Sequence, residues 1–455
     1  MRGLSTCLLV IACSLASLAR GQAPPLTVPR LEQCGKSSHP SLPERWHATF
    51  LSAPFTNSQL VLSDIVHDQT LSSTRVKLYG LRGGSMDLLV QGTSTFLLSR
   101  QGSAPACENL GDTGWRPMPL DWLAPTSRCV GSAPLGNTQV DWWKTPIEPA
   151  PATYWIWTKG SDGSPVRLAF SSPSGRLGAL SEFALDYQIR FEPVSETGLA
   201  EVAKPCAAAA KVRSQNPART LRDRIASMQH AGGRADAEIG RLFPELAACP
   251  SAPLPVWPET LAMTGLMTPW DANENPHGTE VLYDWRIRAQ RTRILFEDGA
   301  VAALDALLRG PRGYNVTHHR DRAQGPACAA VLPGTVQPDW ASRAPCTCEA
   351  MITGTTPLSP HGPVQVLTCP LASPRAAWAW YGLDGRPLSF AVTSRPGDQG
   401  LGLFAVLDYR DWLPGRTTPR SAFDRPETQC HGPPASTPIA SNQCTTCHLG
   451  NSTHR

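Results

Sequence analysis

Short runs of aromatic and β-branched residues, separated by turn-forming residues, dominate the hydrophobic pattern of this chain. Residues 154–157 and 166–171 flank an Asp162-Gly163 pair, and such runs on both sides of Asp-Gly are typical of a β-hairpin. The pattern recurs around Asp384-Gly385. It therefore predicts a largely β protein. The other predicted strands lie at 58–66, 75–80, 85–90, 95–99, 179–191, 279–289, 292–297, 313–318 and 401–409.

Two stretches have a helical pattern instead. The Ala and Leu spacing of residues 299–308 predicts a helix that lies across a sheet. Residues 218–246 place apolar side chains among Arg, Asp and Glu, which predicts one or two amphipathic helices broken at Gly232-Gly233. The predicted fold class is therefore mainly β with a helical minority (α+β).

The sequence also repeats itself at an offset of about 220 residues. Trp155-Ile156-Trp157 recurs as Trp378-Ala379-Trp380, and Asp186-Tyr187 recurs as Asp408-Tyr409, in the same order and at similar spacing. This predicts two tandem copies of one β-rich module of about 150 residues, joined by a helical connector. We expect the copies to superpose, with the tryptophans and the Asp-Tyr pairs at equivalent places.

The start of the chain resembles a secretory signal peptide. Arg2 precedes an apolar stretch over residues 8–19, and small residues follow near position 23. A short lipidation-box pattern ending at Cys13 leaves a lipid anchor as the alternative to ordinary cleavage, and no transmembrane segment is predicted. The predicted organisation is a signal peptide at 1–23, a first module at 31–200, a connector at 205–250, a second module at 255–415, and an extended arm with its tail at 416–455.

An exported chain is expected to oxidise its cysteines, so a periplasmic or secreted location predicts disulfides. Removal of the signal peptide leaves twelve of the 14 cysteines. The repeat favours Cys107–Cys129 and a bond from Cys328 to Cys346 or Cys348, with Cys369 as the nearest partner for the spare thiol. A metal site at the Cys346-Thr347-Cys348 run is the alternative.

Charge and motifs exclude several classes of function. The formal net charge of +4 is too weak to favour nucleic acid as a partner. The sequence contains none of the common metalloprotease, nucleophile-elbow, phosphate-loop or dinucleotide fingerprints. A secreted hydrolase whose active site is assembled from distant residues stays an alternative.

The tail carries the sharpest chemical motif, Cys444-Thr445-Thr446-Cys447-His448. Two thiols three residues apart and an imidazole next to the second match the attachment pattern of a c-type haem, in which the thiols bond the porphyrin and the imidazole ligates iron. The alternatives are a disulfide between Cys444 and Cys447, a zinc site, or a redox dithiol.

At these five residues the chain resembles the haem-binding segment of c-type cytochromes. The resemblance implies one covalent haem c held by Cys444 and Cys447, iron ligated by His448, and a redox partner protein. Cytochrome c domains continue well past this motif, whereas seven residues follow it here. The haem pocket and the distal ligand are therefore expected from the upstream chain, a second chain or solvent.

Three further groups of residues are candidates for a site. The repeated tryptophan pairs could line an apolar groove, although a place in the hydrophobic core is the better interpretation. The Asp-Tyr pairs are expected to serve structure, and His318-His319 offers either a distal haem ligand or a solvated strand end. The leading functional expectation is electron transfer or redox sensing. The alternative is a non-catalytic binding module for an apolar ligand, an envelope component or another protein.

Overall fold

A computed structural model gives the fold, and it is mostly β-sheet with three short α-helices among the described residues. The described residues are 26–35, 39, 42–54, 59–81, 83–101, 104–114, 127–147, 152–171, 183–209, 216–230, 236–251, 257–269, 275–309, 312–331, 346–354, 362–370, 376–393 and 405–424. They confirm the mainly β fold class.

The N-terminal sheet has eleven antiparallel strands, in the order β6-β5-β4-β3-β2-β1-β11-β10-β9-β8-β7. Its first strand therefore lies in the middle of the sheet, because β1 pairs with both β2 and β11. The strands are β1 (Arg45–Pro54), β2 (Val61–Asp68), β3 (Ser73–Gly80), β4 (Ser85–Gln91), β5 (Ser94–Gln101), β6 (Ala104–Gly111), β7 (Arg128–Leu135), β8 (Thr138–Ile147), β9 (Ala152–Lys159), β10 (Pro165–Ser171) and β11 (Phe183–Pro193).

The C-terminal sheet has twelve strands, in the order β12-β19-β20-β21-β22-β23-β13-β14-β15-β16-β17-β18. Apart from the short edge strand β12, this order matches that of the N-terminal sheet strand for strand. The strands are β12 (Leu246–Ala247), β13 (Thr260–Pro269), β14 (His277–Asp284), β15 (Ala289–Leu295), β16 (Val301–Arg309), β17 (Arg312–His319), β18 (Ala327–Val331), β19 (Thr347–Ile352), β20 (Val364–Pro370), β21 (Ala376–Gly382), β22 (Pro387–Thr393) and β23 (Ala405–Pro414).

Each sheet has a β-bulge at a corresponding pair of strands, and the bulges allow the residues of the two sheets to be aligned. The pairing of β1 with β11 shifts between Thr49 and Phe50, and the pairing of β13 with β23 shifts between Thr264 and Gly265. Counted from the bulge, Phe50 of the first sheet corresponds to Gly265 of the second.

The helices follow the first sheet in the chain: α1 (Leu199–Ala207), α2 (Pro217–His230) and α3 (Asp236–Leu242). The amphipathic pattern of residues 218–246 is thus confirmed as two helices, and α1 is an addition to the prediction. Leu221, Ile225 and Met228 of α2 pack onto one face of the N-terminal sheet, against a buried cluster that includes Trp46 and Phe50. We call this the helix face. No helix among the described residues is long and apolar enough to cross a membrane.

The other face of the N-terminal sheet packs against the C-terminal sheet. The cluster between them contains Trp142, Trp155 and Trp157 from the first sheet and Trp380 from the second, all 1% exposed or less. Within it, both guanidinium nitrogens of Arg167 donate to the carboxylate of Asp408, over 2.7 and 2.6 Å. Burial alone would lower the pKa of Arg167, but the Asp408 carboxylate raises it. The sheets therefore share one apolar core with an ion pair inside it.

Four disulfides join described residues: Cys34–Cys129, Cys107–Cys206, Cys249–Cys348 and Cys346–Cys369. Cys328 is disulfide-bonded as well. The prediction that Cys369 bonds one of Cys346 and Cys348 is confirmed. The predicted Cys107–Cys129 bond is wrong, because β6 and β7 lie at opposite edges of an eleven-stranded sheet. A bond from Cys328 to Cys346 or Cys348 is wrong for the same reason, since β18 and β19 lie at opposite ends of the second sheet.

The predicted helix at residues 299–308 is also wrong, since these residues form strand β16 between β15 and β17. Ala303 and Leu307 are buried on one face of the sheet and Leu304 on the other. A strand with apolar residues on both faces gives a continuous apolar run instead of an alternation, and such a run cannot be told from a helix by its periodicity.

Candidate ligand-binding face

The second face of the C-terminal sheet, which points away from the N-terminal sheet, is apolar and rich in aromatic residues. Strand residues alternate between faces, so the pairing of β13, β14, β15 and β23 fixes which side chains lie here. We call this surface the aromatic face. Its residues on these strands are Leu261, Met263, Gly265, Met267, His277, Thr279, Val281, Tyr283, Gln290, Thr292, Ile294, Leu407, Tyr409 and Trp412.

Aromatic rings concentrate at one end of this face. Trp257, which precedes β13, meets Tyr283 edge to face with ring centroids 5.8 Å apart. It meets Trp412 in the same way at 6.0 Å. Such edge-to-face contacts are the favoured arrangement of buried rings. Leu261 and Met263 complete this cluster and are 0% and 1% exposed.

Polar groups lie toward the other end. Burial lowers the pKa of His277 to about 4, while the carboxylate of Asp298 opposes this shift. The imidazole is therefore neutral at pH 7. Its ring lies 4.5 Å from that of Phe296. Thr279, next on this face, is 2% exposed, and its hydroxyl has no hydrogen-bond partner among the described residues. A buried hydroxyl without a partner is costly and calls for an explanation.

The aromatic face differs from the helix face at the corresponding positions. Phe50 places a phenyl ring on the helix face. At the corresponding position of the aromatic face, Gly265 has no side chain. A Cβ atom at Gly265 would collide with the carbonyl oxygen of Asp408, so the bulge requires glycine. No α-helix residue of the described chain belongs to the apolar clusters of the aromatic face, whereas α2 packs on the helix face.

Charge separates the two faces of the C-terminal sheet. None of the paired residues that lie on the aromatic face in β13, β14, β15 and β23 is Asp, Glu, Lys or Arg, and Arg410, the unpaired residue at the bulge of β23, is exposed. On the opposite face, Arg291, Arg293 and His318 donate to the buried carboxylate of Asp305. Burial alone would raise the pKa of Asp305, but these three hydrogen bonds lower it well below its usual range. These charged groups therefore lie on the face away from the aromatic cluster.

Three of the four repeated tryptophans are residues of the hydrophobic core. Trp155, Trp157 and Trp380 are buried in the core between the sheets, and Trp157 stacks under the Arg167 guanidinium at 4.0 Å. Trp155 in β9 and Trp378 in β21 lie at corresponding places in the two sheets. Trp155 pairs with Ala169 of the next strand, and Trp378 pairs with Ala391 of the next strand. The side chain of Trp378 lies outside the described part of the chain.

The Asp-Tyr pairs do not share one register. Counted from the bulge, Tyr187 pairs with Leu51 and corresponds to Asp408, which pairs with Leu266. Both side chains point into the core between the sheets, whereas Tyr409 lies on the aromatic face. The side chain of Asp186 is outside the described residues.

Other sequence candidates have ordinary roles or cannot be placed. His318 donates a 2.9 Å hydrogen bond to Asp305 at the end of a strand. Cys346 and Cys348 are both in disulfides, so the alternative of a metal at this pair is wrong. Cys444, Cys447 and His448 lie outside the described residues. Within the part of the chain that the structure describes, no group of three or more His, Cys, Asp or Glu side chains could hold a metal ion.

Sequence reasoning missed the aromatic face itself. A signal for it exists, because Leu261, Met263 and Met267 alternate along β13 and Val281 and Tyr283 alternate along β14. Sequence alternation reveals two faces of a strand. It does not say which face meets the other sheet.

No protein-family model matches this sequence, and a search of curated proteins also gives no match. Three solved structures are similar to parts of it. An uncharacterized conserved protein from Thermus thermophilus is 14% identical, with a TM-score of 0.24, over 38% of this chain and 92% of that one. MucB is 12% identical, with a TM-score of 0.22, over 64% of this chain and 88% of that one. A LolA superfamily protein from Nitrosomonas europaea is 10% identical, with a TM-score of 0.19, over 35% of this chain and 90% of that one. Similarities this low establish neither the fold nor the function of this chain.

Proposed function

We propose that this protein is an exported, disulfide-stapled binding protein that holds an apolar ligand on the aromatic face of its C-terminal sheet. The observation that carries the proposal is the uncharged surface around Gly265, where aromatic and Met side chains surround a few polar groups. Ligand sites are mostly apolar surfaces with a small number of placed polar groups. Electron transfer by a tail haem becomes the second candidate.

Export is supported by the disulfides. Four bonds between described residues and a bonded Cys328 are typical of an oxidising compartment, which fits the signal-peptide pattern at residues 1–23. They support a periplasmic or secreted location. No redox partner is needed for this function, and a lipid anchor at Cys13 stays a proposal from sequence.

Tandem duplication explains why one chain has two such sheets. The same strand order, the bulge at the same place, and the disulfides Cys34–Cys129 and Cys249–Cys348 at corresponding edges support two copies of one module. The proposed connector at 205–250 contains α2, α3 and the end of α1. In this proposal the first copy covers its helix face with α2, and the second copy uses the corresponding face for a ligand.

A dye titration tests the binding function. N-phenyl-1-naphthylamine is neutral and apolar, and its fluorescence rises in apolar surroundings. We expect saturable binding to the full chain with one site. Met267→Trp should weaken it at least about tenfold, the equivalent of about 1.4 kcal/mol, because the larger ring crowds the aromatic face on which the ligand would lie.

The matched control is Met86→Trp, which makes the same change on the helix face of the other sheet. It should leave dye binding unchanged. Circular dichroism and the denaturation midpoint of each variant identify any loss of folding. Absence of dye binding to the folded wild-type protein, or a loss in Met86→Trp alone, would contradict the proposal.

The tail motif supports the second candidate. We propose from sequence alone that Cys444 and Cys447 bond a haem c whose iron His448 ligates. When the protein is produced with the cytochrome c maturation machinery, we expect haem staining after denaturing electrophoresis, because thioether bonds survive denaturation. Cys444→Ala with Cys447→Ala should abolish the stain. A colourless wild-type protein with a Cys444–Cys447 disulfide would exclude the haem proposal. This result would not affect the proposed binding function.

A further inference from the structure

Thr279 is a buried polar residue of the aromatic face, between His277 and Val281 on β14. It pairs with Gly265 on one side and with Ile294 on the other. Its hydroxyl is buried and has no hydrogen-bond partner among the described residues. Gly265 adds no side chain beside it. A ligand on this face would therefore meet a hydroxyl that can both donate and accept.

The paired strand residues of this face carry no charge, although the carboxylate of Asp298 acts on His277 at one end of the face. The residues of β13, β14, β15 and β23 that lie on it include no Asp, Glu, Lys or Arg, and its one imidazole, His277, is neutral at pH 7. An ammonium or carboxylate group placed here would be buried without a counter-charge. The cost of burying an unpaired charge exceeds that of burying a hydrogen-bonded hydroxyl by several kcal/mol.

We infer that the ligand is an uncharged amphiphile with a hydroxyl head, such as a long-chain alcohol or a monoacylglycerol. Its hydroxyl exchanges a hydrogen bond with Thr279, and its chain lies along Met263, Val281 and the rings beyond them. This inference rests on the proposed binding function and names the chemical class of its ligand. Thr279 is the residue that determines this specificity.

Competition against the bound dye tests the inference. Dodecanol, dodecanoate and dodecyltrimethylammonium share one chain length and differ in the charge of the head. At pH 7.5, below the critical micelle concentrations of the two ions and the solubility limit of dodecanol, dodecanol is expected to displace the dye at a concentration at least about tenfold lower than either charged competitor, which corresponds to about 1.4 kcal/mol.

Thr279→Val removes the hydroxyl and keeps the shape of the side chain. We expect it to weaken dodecanol binding about fivefold more than it weakens dye binding, since the alcohol loses a hydrogen bond worth about 1 kcal/mol and the dye loses none. The control is Thr264→Val on the opposite face of β13, where the hydroxyl donates to Asp411 over 2.6 Å. It should not change the preference among competitors, even if it lowers stability.

The possible outcomes separate the two claims. If the dye itself does not bind, the proposed function fails. If the dye binds but a charged competitor equals or exceeds dodecanol, or no competitor displaces the dye, only the inference about the ligand is overturned. Unchanged dodecanol binding by folded Thr279→Val also overturns it.

Discussion

Arg167→Met is expected to lower the free energy of unfolding by about 3–5 kcal/mol, the largest effect of any single side-chain change that we predict. Arg167 is 0% exposed, and its only carboxylate partner among the described residues is Asp408 of the other sheet. Removal of the cation leaves Asp408 buried, and among the described residues only the hydroxyl of Ser389 then donates to it. Denaturant unfolding followed by circular dichroism measures the loss.

Two controls separate this effect from simple loss of packing. Arg167→Met combined with Asp408→Leu removes both charges and should recover most of the stability, because a well-packed apolar pair often replaces a buried ion pair at little cost. Arg190→Met breaks the pair with Glu245, which is partly exposed, and should cost no more than about 1 kcal/mol. If Arg167→Met costs as little as Arg190→Met, the two sheets do not share the buried ion pair described above.

Loss of the disulfide between β6 and α1 is expected to have the second largest effect on stability. Cys107→Ser with Cys206→Ser should lower the free energy of unfolding by about 2–5 kcal/mol, because the bond closes a loop of 99 residues. Cys346→Ser with Cys369→Ser opens a loop of 23 residues, and the chain-entropy model predicts an effect about 1 kcal/mol smaller.

Peptide mass mapping without reduction checks the pairing on which this comparison depends. We expect a Cys107–Cys206 peptide. A Cys107–Cys129 peptide would contradict the sheet order, because it would join strands at opposite edges. Equal stability losses in the two double variants would instead show that loop length does not govern these disulfides.

Local pattern predicted the local structure well. The Asp-Gly turns at 162–163 and 384–385 separate the paired strands β9 and β10, and β21 and β22, as the hairpin signal requires. Helices α2 and α3 also follow from their apolar spacing. These elements depend on neighbouring residues, and the sequence carries that information directly.

Tertiary arrangement escaped prediction where it depends on distant residues. Arg167 and Asp408 are 241 residues apart in the chain, and neither lies in a motif that would identify a partner. The disulfide pairing likewise depends on the order of the strands in each sheet. The spacing of the cysteines along the sequence does not give that order. The aromatic face is visible as alternation in β13 and β14. Its separation from the core depends on which face of the C-terminal sheet meets the N-terminal sheet.

The proposed function places the apolar ligand on the aromatic face and not on the helix face. Photo-crosslinking with a diazirine-bearing dodecanol, followed by peptide mapping of the full chain, tests it most directly. We predict adducts on residues 260–269 and 277–284, the strands that contain Met263, Met267 and Val281, and suppression of these adducts by excess dodecanol. Adducts confined to residues 45–54 and 217–230, or spread evenly over the chain, would contradict the account.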